Sequence, residues 1–150
     1  MLTAKDIMTT DVITVRMDTT VKDLAEILWK NRISGAPVLD DEGKVISVVT
    51  ENDLIDQSKK FHIPTMISLI DSVIFLESSQ KTEEEIKKMA GNTVRDICAK
   101  KLVSVSEDTG MDEIATIMAE KKVHTLPVIR EDRLIGVIGK TDIIRTMATK

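Results

Sequence analysis

The sequence of this chain contains the same pattern twice. Asp6-Ile7 returns as Asp96-Ile97, and Pro37-Val38 returns as Pro127-Val128, both at an offset of 90 residues. One residue is missing from the second copy in the acidic turn that follows, where a hairpin tolerates a change of length without losing strand register. Duplication of this kind predicts two copies of one supersecondary unit that bury their apolar faces against each other.

Each copy predicts an α/β unit in the order strand, helix, strand, strand, helix. In the first copy, residues 12–15 are a short β-rich run, and Thr20 is a candidate N-cap for the helix that follows. Gly35-Ala36-Pro37 ends that helix and begins the second strand. The acidic turn leads into a third strand at 44–49, and a second helix begins near Glu51. We therefore expect two pseudo-symmetric β-α-β-β-α repeats.

The middle of the chain belongs to neither copy. Between repeat one at 1–58 and repeat two at 93–150, we expect residues 59–92 to form a helical connector. Pro64 suits the first position of a helix. Thr82 is followed by three glutamates, which is the pattern of a capping box.

Composition narrows the class of protein. The formal net charge of −4 provides no basic field for nucleic acid, and no run of about 20 apolar residues predicts a membrane span. The first residues show no apolar signal-peptide region, and Cys98 is the only cysteine, which excludes an internal disulfide and a cysteine-based metal cage. We therefore expect a cytoplasmic protein without a metal site. With no Tyr, one Trp and two Phe, a bound base would be held by aliphatic side chains.

Thr50 and Asp53 form the strongest candidate site, at the corner where a strand enters a helix. A carboxylate can accept two hydrogen bonds from a ribose diol, and a threonine hydroxyl together with free helix amides suits a phosphate. The alternative is structural: Thr50 caps the helix, and the charge of Asp53 favours the helix dipole. Both interpretations can hold together.

The second copy keeps the aspartate but changes the corner. Asp142 matches Asp53, whereas Gly139 stands where Thr50 stands and offers no hydroxyl. Lys140 or Thr141 could replace part of that phosphate contact. Gly139-Lys140-Thr141 also resembles the end of a P-loop, but position 134 is leucine where a P-loop requires glycine, so we exclude an NTPase.

Four motifs together resemble the CBS domain family, named after cystathionine β-synthase. They are Asp6-Ile7-Met8, the strand starts 34–38 and 124–128, and Ser47-Val48-Val49-Thr50-Glu51-Asn52-Asp53. The resemblance implies that the two repeats pack through their sheets about a pseudo-twofold axis. It also implies two clefts, each with an aspartate from one repeat and base-contacting strands from the other.

The resemblance assigns residues to each cleft by position. For the cleft of Asp53 they are Val48, Thr50, Asn52, Asp53, Cys98, Val103, Val123, His124 and Thr125. For the cleft of Asp142 they are Met8, Ile13, Ile33, Ser34, Gly35, Ala36, Val137, Gly139, Lys140, Thr141 and Asp142. The base-contacting positions are small or aliphatic, and a role in the core is open for each of them. At His124 a structural hydrogen bond and a phosphate contact stay open.

The resemblance implies a regulatory module that binds AMP, ADP, ATP or S-adenosylmethionine, requires no cofactor and catalyses nothing. Such modules pair into flat homodimers, so we expect a homodimer and an output to another protein in trans. The rival hypothesis is a structural or dimerisation module with empty clefts; Thr50 and Asp53 argue against it, and Gly139 argues for it at one cleft. An enzyme is disfavoured because the sequence shows no nucleophile–base pair, no metal cluster and no Gly-rich phosphate loop. We expect the cleft of Asp53 to be the better nucleotide site.

Overall fold

The computed structural model describes residues 1–60 and 92–149. The first repeat contains α1 (Ala4–Ile7), β1 (Val15–Arg16), α2 (Val21–Asn31), β2 (Gly35–Leu39), β3 (Val45–Thr50) and α3 (Glu51–Lys60). The second repeat contains α4 (Val94–Ile97), α5 (Met111–Lys121), β4 (Thr125–Arg130), β5 (Arg133–Gly139) and α6 (Lys140–Ala148). The predicted α/β pair of repeats is therefore confirmed. The predicted helical connector, 59–92, lies outside the described residues apart from its first two residues and its last.

The two sheets are small and follow the same plan. In the first repeat, β1 pairs in parallel with β2, and β2 pairs antiparallel with β3. In the second repeat, β4 pairs antiparallel with β5, and the equivalent of β1 is a single parallel bridge between Val105 and Val128. The predicted strand at 12–15 is too long, since pairing begins only at Val15. The residues before it leave the sheet, and Ile13 lines one of the two clefts described below.

The short helices α1 and α4 are exchanged between the repeats. Ala4 and Ile7 of α1 are buried in the hydrophobic cluster of the second repeat, around Ile114. Val94 of α4 is buried in the cluster of the first repeat, around Leu24. The backbone follows the same exchange, because the Ala4 N–H donates to the carbonyl of Thr109 at 2.8 Å, and Val94 bonds in the same way to the first repeat. Each core is thus completed by residues from the other half of the chain.

Four helices begin with the same kind of capping hydrogen bond. In each, an aspartate at the third helical position accepts a hydrogen bond from the backbone N–H of the residue before the helix. The pairs of donor and acceptor are Thr3–Asp6, Thr50–Asp53, Thr93–Asp96 and Gly139–Asp142, at 2.8–2.9 Å. At Asp6 the hydrogen bonds from the Thr3 backbone and hydroxyl hold the pKa of the carboxyl below its usual range. The structural interpretation of Asp53 is therefore part of its role.

The helices α2 and α5 end in the same unusual way. Arg32 caps α2 at φ 53° and ψ 46°, and Lys122 caps α5 at φ 55° and ψ 42°. This left-handed conformation is one that glycine adopts readily and that side-chain-bearing residues adopt rarely. Both repeats therefore hold a basic residue where glycine would be the least strained choice.

None of the helices in the described ranges combines the length and the apolar character that a membrane crossing needs.

Candidate functional site

Two clefts lie between the repeats, and each takes residues from both. The cleft of Asp53 has a volume of about 240 Å³ and that of Asp142 about 360 Å³. Predicted residues that line the first are Val48, Thr50, Asn52, Asp53, Val103, Val123, His124 and Thr125. Predicted residues that line the second are Ile13, Ile33, Ser34, Gly35, Val137, Gly139, Lys140, Thr141 and Asp142.

Three predicted residues do not line the clefts. Cys98 packs against the first-repeat core, with its Sγ 3.9 Å from Sδ of Met17. Met8 packs in the same way against the second-repeat core, and Ala36 is fully buried in the first. At Cys98 and Met8 the assignment from the sequence is off by one residue. Each ends a short helix with its side chain turned to the core, and the next residue along, Ala99 or Thr9, lines the cleft instead.

Several lining residues were missed from the sequence. In the cleft of Asp53 they are Ser34, Glu51, Ala99, Lys101 and Lys122. In the cleft of Asp142 they are Thr9, Asp11, Arg32, Pro37, Thr125 and Arg145. Two of these carry a signal in the sequence. Arg32 adjoins Ile33 and is open to a ligand role or to a solvated surface position, and Arg145 lies three residues after Asp142 on the same helix, within reach of an ion pair.

The carboxylate of Asp53 has one oxygen engaged and one available. Its Oδ2 accepts hydrogen bonds from the backbone N–H of Thr50 at 2.8 Å and from the Thr50 hydroxyl at 3.2 Å. Its Oδ1 has no hydrogen-bond partner among the described residues. Burial raises the pKa of this carboxyl, the hydrogen bonds from Thr50 oppose that shift, and the nearby charge of Asp56 adds to it. One oxygen thus caps α3, and the other is unpaired among the described residues, in a side chain that lines the cleft.

The carboxylate of Asp142 has both oxygens engaged. Its Oδ2 accepts the N–H of Gly139 at 2.8 Å. Its Oδ1 accepts the Thr9 hydroxyl at 3.0 Å and lies 2.8 Å from Nη2 of Arg145, which forms an ion pair with it. The residue is only 5% exposed. The two pseudo-equivalent aspartates therefore differ in what they can offer a ligand.

A thin wall separates the clefts. Ser34 and Thr125 line both of them, and Thr125 is 7% exposed. Gly35 lies against Thr125 so closely that a Cβ at Gly35 would be 2.8 Å from the Thr125 hydroxyl oxygen and 3.1 Å from the Val49 carbonyl oxygen. The same wall also fixes the start of α3, because the N–H of Glu51, the first residue of that helix, donates to the Ser34 carbonyl at 2.8 Å.

The raised pKa of Asp53 gives a testable pH dependence. Because the folded state holds this proton more tightly than the unfolded chain does, the contribution of Asp53 to stability falls as pH rises from the unfolded value through the raised folded pKa. Asp53→Asn has no such proton. We expect the free energy of unfolding of wild type minus that of Asp53→Asn to decrease between about pH 3.5 and neutrality. Urea titrations at several pH values measure it, and a difference that increases with pH would contradict the assignment.

The clefts, the strand–helix corners and the doubled α/β unit define a paired-repeat module. This chain belongs to the CBS domain family, which matches residues 4–60 and 94–149. It is 28% identical to an uncharacterized protein of Methanocaldococcus jannaschii over 95% of this chain and 89% of that protein. It is 31% identical to the chloroplastic CBS domain-containing protein CBSX1 of Arabidopsis thaliana over 90% of this chain but only 58% of that protein.

Solved structures share the fold over nearly the whole chain. CBSX2 in complex with AMP superimposes with a TM-score of 0.74 at 24% identity, covering 99% of this chain and 98% of that one. The CBS domain pair of MJ0100, in complex with 5′-methylthioadenosine and S-adenosyl-L-methionine, gives a TM-score of 0.72 at 21% identity, with 98% and 96% covered. Among the relatives, an inosine-5′-monophosphate dehydrogenase of M. jannaschii matches over only 23% of its own length.

Proposed function

We propose that this chain is a non-catalytic, cytoplasmic regulatory module that binds an adenosine-containing ligand in the cleft of Asp53. The observation that carries the proposal is the unequal use of the two Asp53 oxygens. Oδ2 caps α3, while Oδ1 has no partner in the described chain, and the side chain lines the cleft. A ribose diol needs such an acceptor, and a charge-assisted hydrogen bond to it is worth about 1.5–3 kcal/mol.

The walls of this cleft suit a purine base. Val48 comes from the first repeat, and Val103 and Val123 come from the second, so that aliphatic side chains from both repeats meet in one cleft. Apolar walls with a few convergent polar groups are the usual composition of a small-molecule site. The ligands bound by CBSX2 and by MJ0100, AMP in one and two adenosine derivatives in the other, support the same class for this chain.

Thr50 can change its partner when a ligand binds. Its hydroxyl donates to Asp53 Oδ2. If a phosphate accepts that hydroxyl instead, a lone pair of Oδ2 becomes free, and the ribose diol can use both carboxylate oxygens. The backbone N–H of Thr50 still keeps the helix capped. We propose that ribose binding and phosphate binding are coupled through this one hydroxyl.

A thermal-shift panel tests the proposed function. The compounds are adenosine, AMP, ATP and S-adenosylmethionine, with GMP as the control for the base. A ligand at 100 times its Kd stabilises the fold by about 2.7 kcal/mol, which for a chain of this size raises Tm by about 5–10 °C. A rise with adenosine compounds and none with GMP supports the proposal. No rise with any compound favours a structural or dimerisation module.

We further propose that the chain forms homodimers through the helices after Thr20, Glu51, Gly110 and Lys140, which are α2, α3, α5 and α6. Large apolar side chains on three of them are exposed: Trp29 is 81% exposed, Ile55 52%, Ile144 61% and Met147 67%. We expect sedimentation at tens of micromolar, a range typical of specific association, to give a dimer. Ile144→Glu should shift it towards monomer, and a wild-type monomer at that concentration would contradict the proposal.

A further inference from the structure

Two basic residues occupy equivalent and unusual positions, one at each cleft. Arg32 and Lys122 end α2 and α5 in the left-handed conformation. Lys122 lines the cleft of Asp53, and Arg32 lines the cleft of Asp142. A positive charge at a helix C-terminus favours the helix dipole, but lysine could supply that from an ordinary position in the last turn, as Lys121 does. Strained positions that recur at clefts indicate a role beyond the cap.

The cations of the Asp53 cleft have no counter-ion among the described residues. Outside the clefts some basic residues are paired, as Arg16 is with Asp41 and Arg130 with Glu107, and others in the described part of the chain, such as Lys22, are not. Lys101 and Lys122 both line the cleft, and within the described ranges neither lies within 4.0 Å of a carboxylate oxygen.

Acidic side chains line the same cleft as these lysines, so their charges bear on what the lysines can bind. Glu51 and Asp53 line the same cleft, and His124 lines it beside Lys122. Asp53 is committed to the helix cap and, in the proposed function, to the ribose. Glu51 is exposed and has no ion pair among the described residues. Two ammonium groups therefore remain for an anion that enters the cleft.

We infer that Lys122 is a specificity-determining residue, which together with Lys101 makes the cleft of Asp53 select phosphorylated adenosine nucleotides. This inference rests on the proposed function. A 5′-phosphate carries between one and two negative charges near neutral pH and offers strong acceptor oxygens to ammonium groups. Methylthioadenosine has no charge there. S-adenosylmethionine has a sulfonium cation at that position and a net charge of about +1 once its ammonium and carboxylate are counted, so the two lysines disfavour it relative to a phosphate. The cleft therefore prefers AMP, ADP or ATP to either of these.

Lys122→Gly in the full-length chain tests the inference, because it removes the charge and relieves the backbone together. We expect the unfolding midpoint to stay or to rise, as Arg32→Gly should also show, since glycine adopts this conformation without strain. We expect the Kd for AMP to increase about tenfold or more while the Kd for adenosine changes less than twofold. Lys122→Arg should retain most of the preference for AMP.

Titration calorimetry with AMP, adenosine and S-adenosylmethionine provides the readout. Lys44→Gln, which removes one charge at a hairpin turn outside both clefts, is the control and should leave every Kd unchanged. A wild type that binds adenosine as tightly as AMP, or Lys122→Gly losing both equally, would overturn the inference and leave the proposed function standing. A wild type that binds none of the three ligands would overturn both.

Discussion

Asp53→Ala is expected to weaken binding of AMP and ATP by about ten- to a hundredfold, whereas Asp142→Ala is expected to weaken it much less. The first change removes a cleft-lining carboxylate with one oxygen unpaired among the described residues, and with it a charge-assisted hydrogen bond worth about 1.5–3 kcal/mol. The second removes a carboxylate that Thr9, Arg145 and Gly139 already engage. A ligand gains less binding free energy from a carboxylate whose oxygens must first give up hydrogen bonds from three donors.

Isothermal titration of both variants with AMP and ATP measures this difference. Asp53→Ala also removes a helix cap, which costs stability by itself. Asp96→Ala is therefore the matched control, because it removes the same kind of capping bond, to Thr93, at a residue outside both clefts. It should lower Tm and leave the Kd unchanged. Binding abolished by Asp142→Ala and retained by Asp53→Ala would reverse the ranking of the clefts.

Gly35→Ala is expected to destabilise the fold by about 1–3 kcal/mol and to impair both clefts at once. The added Cβ would lie 2.8 Å from the Thr125 hydroxyl oxygen and 3.1 Å from both the Thr50 methyl and the Val49 carbonyl oxygen. The 2.8 Å contact is too short to keep, and the two at 3.1 Å need shifts of a few tenths of an ångström, so the Thr125 side chain or the strand must move, which is the usual cost of overpacking a close-packed region. Because Thr125 lines both clefts, its displacement changes both.

The double variant Gly35→Ala/Thr125→Ala separates crowding from other effects. Removing the Thr125 hydroxyl removes the shortest contact, so we expect Gly35→Ala to cost less in that background, by an interaction energy of about 0.5–1.5 kcal/mol. Urea unfolding of the wild type, the two single variants and the double variant gives this energy, and titration with AMP measures the effect on binding in the clefts. Strict additivity would show that the Val49 backbone, and not Thr125, limits the space at position 35.

The internal duplication was sufficient to predict the repeats and the corners, because these follow from a local pattern repeated at a fixed offset. The assignment of residues to the cleft walls came from the resemblance to the CBS domain family. What it missed depends on contacts far apart in the chain. The Thr9 hydroxyl meets Asp142 across 133 residues of sequence, and that bond engages an aspartate whose local motif matches that of Asp53. The register of Cys98 against Ala99 is set by burial beside Met17, which no local pattern specifies.

The left-handed caps were missed for a different reason. Arg32 and Lys122 read in the sequence as ordinary surface cations at the ends of helices, where such residues are common. Their backbone conformation is imposed by the chain turning at once into β2 and β4, and only that turn carries them to the cleft rims.

The exchange of α1 and α4 makes the two halves of this chain mutually dependent. Neither core can open without withdrawing residues from the other, because Ala4 and Ile7 fill one while Val94 fills the other. Stabilisation gained at one corner therefore spreads over both repeats. On the proposed function, a nucleotide held at Asp53 alone would stabilise both repeats, and a partner that contacts only the distant half would still sense its presence.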